Sequence, residues 1–152
     1  MGGRAIPPVS PETPVVELTR RYRFPAAHVL RSEALGDAEN ERLYGKCANP
    51  AGHGHDYALE ITVAGPVDPR SGRVVAVDRL DALVRQRVLD RLTHRLLNDD
   101  PWFAREVPTA ENIARAAWEA LCGAVAAESP ARLVRVRLRE TRRNVFECGE
   151  TS

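Results

Sequence analysis

His53-Gly54-His55-Asp56-Tyr57-Ala58-Leu59-Glu60-Ile61-Thr62-Val63-Ala64 alternates along its length, and that alternation decides how the chain folds. His53, His55, Tyr57, Leu59, Ile61 and Val63 share one parity, while Asp56, Glu60 and Thr62 take the other. Residues 55–64 therefore read as a β-strand with one buried face. Histidines at i and i+2 on an extended segment project to the same side, which is how a strand offers two imidazole nitrogens to one metal ion. A lone histidine on an apolar face ordinarily packs or hydrogen-bonds in the core. The pair beside glycine favours metal binding, with zinc preferred because imidazole ligands and an open position suit it. Only four histidines exist, and His28 is the best candidate for a third ligand.

Upstream, Val16, Leu18, Tyr22 and Phe24 occupy even positions among polar neighbours, predicting a strand over 15–24 with Arg20 as the exception on its buried face. His28 continues the even parity. Residues 1–14, with Pro7, Pro8, Pro11 and Pro14, read as a loose tail before a single domain over 15–152. The polar stretch Arg31 to Asn49, punctuated by Gly36 and Gly45, reads as a long functional loop. It carries Cys47, six positions before His53. A free cysteine is usually a small buried hydrophobe, but this loop position beside Lys46 favours a thiolate available for proton abstraction.

Downstream, turn residues from Gly65 to Gly72 lead to a helix opened by Asp78, with Leu80, Leu83, Val84, Val88 and Leu92 inward. His94 follows that helix, a place where histidines more often cap or face solvent than catalyse. Thr109 is the predicted N-cap of a second helix with Glu111 in its first turn, where a glutamate commonly serves the dipole alone. Ile113, Ala117, Ala120, Leu121 and Val125 form its inward stripe. Arg132 to Glu140 alternates again, with Val134, Val136 and Leu138 inward and Arg135, Arg137 and Arg139 outward. Glu140 has the inward parity, where an unpaired carboxylate would be expensive, so it wants a cationic or hydrogen-bonding partner that a ligand can supply. A short last strand over 144–148 completes the order strand, strand, helix, helix, strand, strand. That order predicts an α+β fold with an antiparallel sheet and both helices on one side.

At 152 residues and formal charge +1, the chain is one ordinary domain with no electrostatic signature of a nucleic-acid or anionic-membrane partner. Its three cysteines, irregularly spaced, read as free thiols in a reducing compartment, and no apolar run approaches the roughly 20 residues of a membrane span. A cytoplasmic enzyme is the expectation.

The segments Phe24-Pro25-Ala26-Ala27-His28, Leu43 to Pro50, Gly52 to Tyr57, Pro108-Thr109-Ala110-Glu111-Asn112 and Glu140-Thr141 together resemble the 6-pyruvoyl-tetrahydropterin synthase family. This family includes the 6-carboxytetrahydropterin synthases of deazaguanine biosynthesis. The matching segments run in family order and cover nearly everything after the tail. The resemblance implies the tunnelling fold: a four-stranded antiparallel sheet with two helices on one face, assembling into trimeric barrels that stack as hexamers. The arginine face of 135, 137 and 139 would then line a hydrated tunnel.

The resemblance further implies zinc held by His28, His53 and His55, and proton transfers by Cys47 and His94. Glu140 would anchor the pterin, and Thr109 and Glu111 would help form its pocket. The implied substrate is 7,8-dihydroneopterin triphosphate. The product is 6-pyruvoyl-tetrahydropterin or, in the alternative branch, 6-carboxytetrahydropterin. The spacing from Cys47 to His53 is similar to the pyruvoyl-forming branch. Thr93 departs from the family, which usually carries aspartate before the catalytic histidine. A catalytically impaired pterin-binding relative is therefore a further alternative.

Overall fold

The computed structural model describes residues 13–150. Four strands, β1 (Val15–His28), β2 (His53–Pro66), β3 (Arg132–Arg139) and β4 (Val145–Gly149), pair antiparallel in the order β1-β2-β3-β4. One face of this sheet is covered by helices and the other carries charge, which is why the strands alternate. The predicted tail lies almost wholly outside the described residues.

β1 runs four residues past its predicted end, because Phe24 to His28 continues to pair with His53 to Tyr57. Phe24, Ala26 and His28 are all buried. Phe24 and Tyr57 stack with ring centroids 5.0 Å apart, joining the strands at the end where the histidines lie. Arg20, out of pattern in sequence, points inward to Asp81, which accepts from Arg20 Nε at 3.0 Å and Nη2 at 2.7 Å and from the Tyr22 hydroxyl at 2.7 Å. A bidentate guanidinium–carboxylate pair satisfies both charges at the sheet–helix seam.

The helical layer begins with α2 (Val77–Val84), runs through a π-helical turn over Arg85–Leu89, and ends in α3 (Asp90–Leu92). Asp78 lies in the first turn of α2 and is not its cap, a place held by Ala76 without a side-chain bond. The π turn keeps Val88 and Leu92 facing the sheet alongside Leu80, Leu83 and Val84. α4 (Ala110–Glu128) starts as predicted, with Thr109 Oγ1 accepting from Asn112 N at 3.3 Å. It buries Ile113, Ala117, Leu121 and Val125, while Ala120 is half-buried at the edge of the stripe.

Two sequence expectations are corrected. The stretch 31–49 is not a structureless loop: it contains α1 (Asp37–Tyr44) and a 3₁₀ turn over Gly45–Ala48. α1 escaped the periodicity because only Asn40 of its residues is buried, so no apolar stripe marks it. In β3, the register shifts opposite Thr62 and Val63, leaving Val134 as the extra residue of a bulge. Leu133 takes the buried position expected of Val134, and Val136 and Leu138 keep their inward parity. Gly149 is required beside the bulge, since a Cβ there would stand 2.7 Å from the Val134 carbonyl.

The outward face is an ion-pair ladder. Arg137 binds Glu147 through Nε at 2.8 Å and Nη2 at 2.7 Å and reaches Glu60 at 3.5 Å, while Arg21 also meets Glu60 at 3.1 Å. A cavity of about 440 Å³ opens on this face between Arg21, Arg23, Arg137 and Arg139.

Candidate metal and substrate site

The site lies at the end of the sheet where β1 leaves and β2 enters. His28 faces His53 across the ladder, and Ala26 faces His55, so the three imidazoles share the inner face within two register steps. Their rings meet edge to face, with centroids 5.0 Å apart for His28 and His55 and 4.5 Å apart for His53 and His55. His28 is fully buried.

Hydrogen bonding fixes the His28 tautomer. Its Nδ1 lies 2.9 Å from the carbonyl oxygen of Pro108, and a carbonyl can only accept, so Nδ1 carries the hydrogen. The Tyr57 hydroxyl lies 3.3 Å from the same nitrogen. Nε2 therefore presents a lone pair into the site, and neither it nor His55 Nε2 has a hydrogen-bond partner among the described residues although both are buried. A neutral imidazole oriented by a backbone carbonyl, with its other nitrogen free, is the arrangement of a metal ligand. Burial lowers the proton affinity of both rings, and neighbouring histidines lower it further. The Pro108 bond opposes this at His28, while His55 falls to about 4.

Cys47 arrives from the other side. The 3₁₀ turn after α1 carries it, and its carbonyl accepts from Leu30 N at 2.7 Å, tying the thiol's backbone to the chain two residues beyond His28. The ligand atoms of His28, Cys47 and His55 all lie within 4.8 Å of one another. His53 stands outside that trio, half-buried beside His55. Cys47, expected from sequence as a base near the metal, thus sits among atoms that could themselves hold a metal ion. Burial and the nearby Glu140 carboxylate push its thiol up.

Glu140 has the inward orientation read from parity. Its Oε1 is 3.7 Å from His55 Nε2 and 3.9 Å from His28 Nε2. Burial raises its carboxyl above the usual range, the charge of Glu111 adds to the rise, and His53 opposes it. Both distances exceed hydrogen-bonding range, so the carboxylate is close to the imidazoles without satisfying them. The β3–β4 turn holds it: Glu140 N donates to Asn144 O at 3.3 Å, and Thr141 Oγ1 accepts from Arg143 N and Asn144 N, each at 3.2 Å. Glu111 lies exposed on the first turn of α4, on the Glu140 side, and Thr109 caps that helix one residue after Pro108.

His94 stands outside the cluster. It is exposed and is, among the described residues, the sole non-glycine with positive φ, at 58°. Its backbone N–H donates to Pro25 O at 2.7 Å, so the unusual conformation is held against β1. Thr93 donates its hydroxyl hydrogen to the Leu89 carbonyl at 2.6 Å, a bond back into its own helix. Sequence reasoning missed the two groups that orient His28. Pro108 contributes only a carbonyl, which leaves no side-chain signal, and Tyr57 is indistinguishable in the pattern from any other core residue.

A family model described as 6-pyruvoyl tetrahydropterin synthase matches residues 17–151. The 6-pyruvoyl tetrahydrobiopterin synthase of Drosophila melanogaster is 40% identical over 136 residues, covering 89% of this chain and 80% of the fly protein. That of Homo sapiens is 42% identical over 106 residues, covering 69% of this chain and 73% of the human protein. The solved 6-pyruvoyl tetrahydropterin synthase of Caenorhabditis elegans superposes with a TM-score of 0.84 at 38% identity, covering 91% of this chain and 98% of that one. With sequence and fold in agreement, the chain belongs to the 6-pyruvoyl tetrahydropterin synthase family.

Proposed function

We propose that this chain is a zinc-dependent carbon–oxygen lyase that converts 7,8-dihydroneopterin triphosphate to 6-pyruvoyl-tetrahydropterin with loss of triphosphate. The observation that carries the reading is the convergence of two buried, unpartnered imidazole nitrogens with a thiol and an inward carboxylate at one end of the sheet. The chemistry of that donor set fits zinc. His28 and His55 are neutral and aimed inward, and His53 is the adjacent third imidazole, so these three would hold the ion. When bound, zinc supplies Lewis acidity that makes a substrate hydroxyl and its neighbouring C–H easier to deprotonate.

The protein's own groups do the rest. Cys47, within reach of the same space, takes and returns a proton at Sγ. Glu140 accepts N–H donors from the aminopyrimidine edge of the pterin, which gives its half-buried carboxylate the hydrogen-bond partner it lacks among the described residues. Thr109 and Glu111 border that pocket at the start of α4. His94, exposed and held in a left-handed backbone, acts on a site completed by a neighbouring subunit. The open edges support such an assembly: residues 94–98 cover only the last part of β1, and β4 is the other edge. The barrel these edges build would turn the arginine face inward to a hydrated tunnel. Three free cysteines support a reducing, cytoplasmic setting, and no helix among the described residues is long and apolar enough to cross a membrane.

Incubating the purified zinc protein with 7,8-dihydroneopterin triphosphate and identifying all products by mass tests the assignment. 6-Pyruvoyl-tetrahydropterin and free triphosphate are the expected products. The 6-carboxy product would move the chain to the other branch, and unchanged substrate bound at one equivalent would make it an impaired relative. The impaired reading draws on Thr93, whose hydroxyl hydrogen is committed to Leu89 and which brings no negative charge to His94. Thr93→Asp should raise turnover if a negative charge at that position is what His94 lacks. Lower turnover in the variant would mean that another group supports His94.

A further inference from the structure

Residues 94–98 run alongside the end of β1 as a short parallel ladder. His94 N donates to Pro25 O at 2.7 Å, Ala27 N donates to Arg95 O at 3.0 Å, and Ala27 bridges to Leu96. At the next step the backbone pairing stops and a side chain replaces it. Asn98 Oδ1 accepts from Val29 N at 2.8 Å, and Asn98 Nδ2 donates to Val29 O at 2.9 Å. A carboxamide offers one acceptor and two donors with the spacing of a peptide group, so Asn98 continues the ladder one residue beyond where the strand itself ends.

Val29 sits between two groups of the site. It follows His28, whose Nδ1 is held by Pro108, and it precedes Leu30, whose N–H holds the Cys47 carbonyl at 2.7 Å. Beyond the end of β1 the Val29 peptide has no strand partner, and Asn98 supplies both of its hydrogen bonds. Asn98 is itself exposed, so the packing of the core does not explain it.

We propose that Asn98 is a positioning residue: by clamping the Val29 peptide on both sides, it sets the approach of the His28 ring and the Cys47 thiol to one another and ties both to the His94 segment. This rests on the reading of His28 as a metal ligand given above. Both bonds are to backbone atoms, so the clamp is insensitive to what Val29 is and sensitive to what stands at 98. A site whose ligands must converge within tenths of an ångström depends on such support.

The test compares Asn98→Ala and Asn98→Asp with the native chain. Asp keeps an acceptor for Val29 N–H and loses the donor to Val29 O. Zinc affinity is read by competition with a chromophoric chelator, and iodoacetamide labelling of Cys47 is followed by mass spectrometry in the metal-free chain, with Cys122 and Cys148 as internal controls. Asn98→Ala should bind zinc about 10-fold or more weakly, in the range for lost supporting bonds. The labelling rate of Cys47 should change while those of Cys122 and Cys148 do not, and Asn98→Asp should fall between. Zinc affinity within twofold of native together with unchanged Cys47 labelling would overturn the proposal. So would a loss of affinity accompanied by equal acceleration at all three cysteines, which is general loosening. If Asn98→Ala does not fold, Asn98→Asp decides by the same two readings. A native chain that binds no zinc would defeat the metal reading alone, and the labelling comparison would still decide the role of Asn98.

Discussion

The two halves of β2 share one face and differ in what they put on it. Leu59, Ile61 and Val63 are almost wholly buried and packed against α2 and α4, and nothing but removal of apolar surface is asked of them. His53 and His55 continue the same parity toward the strand's start, but the His55 ring lies beside Glu140 and Cys47, and both histidines remain partly exposed. The contrast shows how this site is made: core positions of an ordinary amphipathic strand carry imidazoles where the helical layer no longer covers them. The backbone that holds these imidazole nitrogens is the backbone that holds the core. Stability and chemistry are thereby assigned to different residues of one element, and substitutions should separate them.

The largest effect should follow His55→Ala. With one of the two unpartnered inward nitrogens removed, metal content should fall close to zero and activity to background, while thermal unfolding of the metal-free chain changes little. Elemental analysis beside calorimetry reads both, and full occupancy in the variant would remove His55 from the ligand set. Ile61→Ala should do the reverse. A fully buried isoleucine cut to alanine costs about 2 to 5 kcal/mol of folding stability, read by urea titration, yet the folded fraction should bind zinc normally. Loss of metal at concentrations where the variant remains folded would show that the two halves are coupled.

Glu140→Gln sharpens the comparison from the substrate's side. The amide keeps the shape of the side chain and removes its charge, so folding should be near native while affinity for a dihydropterin analogue falls by about 2 to 4 kcal/mol in titration calorimetry. Equal affinity would leave the inward carboxylate without the role assigned to it.

The smallest effect is a pH dependence that only the histidine end should show. His55 has a folded value of about 4 against 6.5 for the free group, and His28 is lowered as well. As pH falls below 6.5 the unfolded chain takes up protons that the folded chain refuses, so stability declines down to about 4 and then levels. Glu140 is shifted in the opposite sense, since its raised value favours folding as the carboxyl protonates, and it would mask part of the decline. Metal-free Glu140→Gln followed by urea titration between pH 7 and pH 5, above the range in which the lowered Asp68 and Asp81 carboxyls contribute, isolates the imidazoles, and adding His55→Ala should reduce the slope to what His28 leaves. A slope undiminished by the added His55→Ala would place the titration elsewhere.

Much of this was legible in the chain, and the failures have physical causes. β2 was readable because half-burial imposes a period of two, and α4 because a capping threonine precedes a regular apolar stripe. β1 was read four residues short because Pro25 interrupts the alternation; its missing N–H costs nothing at a strand edge. α1 gave no signal because its stabilisation is polar. Asn40, fully buried, accepts from Ser32 N at 2.8 Å and donates to the Ser32, Leu35 and Gly36 carbonyls at 3.0 to 3.1 Å, bonds that no hydrophobic pattern records. The bulge at Val134 was invisible because one inserted residue leaves composition and local propensity unchanged.

For the site, sequence determined which residues have the right chemistry and which side of a strand they take, since parity along an extended chain is a local property. His53, His55 and Glu140 were placed on the inner face by counting alone. Distances between segments far apart in the chain are not local, and only the tertiary structure decided them. It put His28 opposite His53, brought Cys47 among the ligand atoms, gave the Nδ1 hydrogen of His28 to Pro108, and left His94 outside the cluster on an exposed left-handed residue. The reason is that a backbone carbonyl, a register and a closed ladder have no residue type of their own: they arise when remote stretches pack together, and it is they that turn candidate ligands into a site.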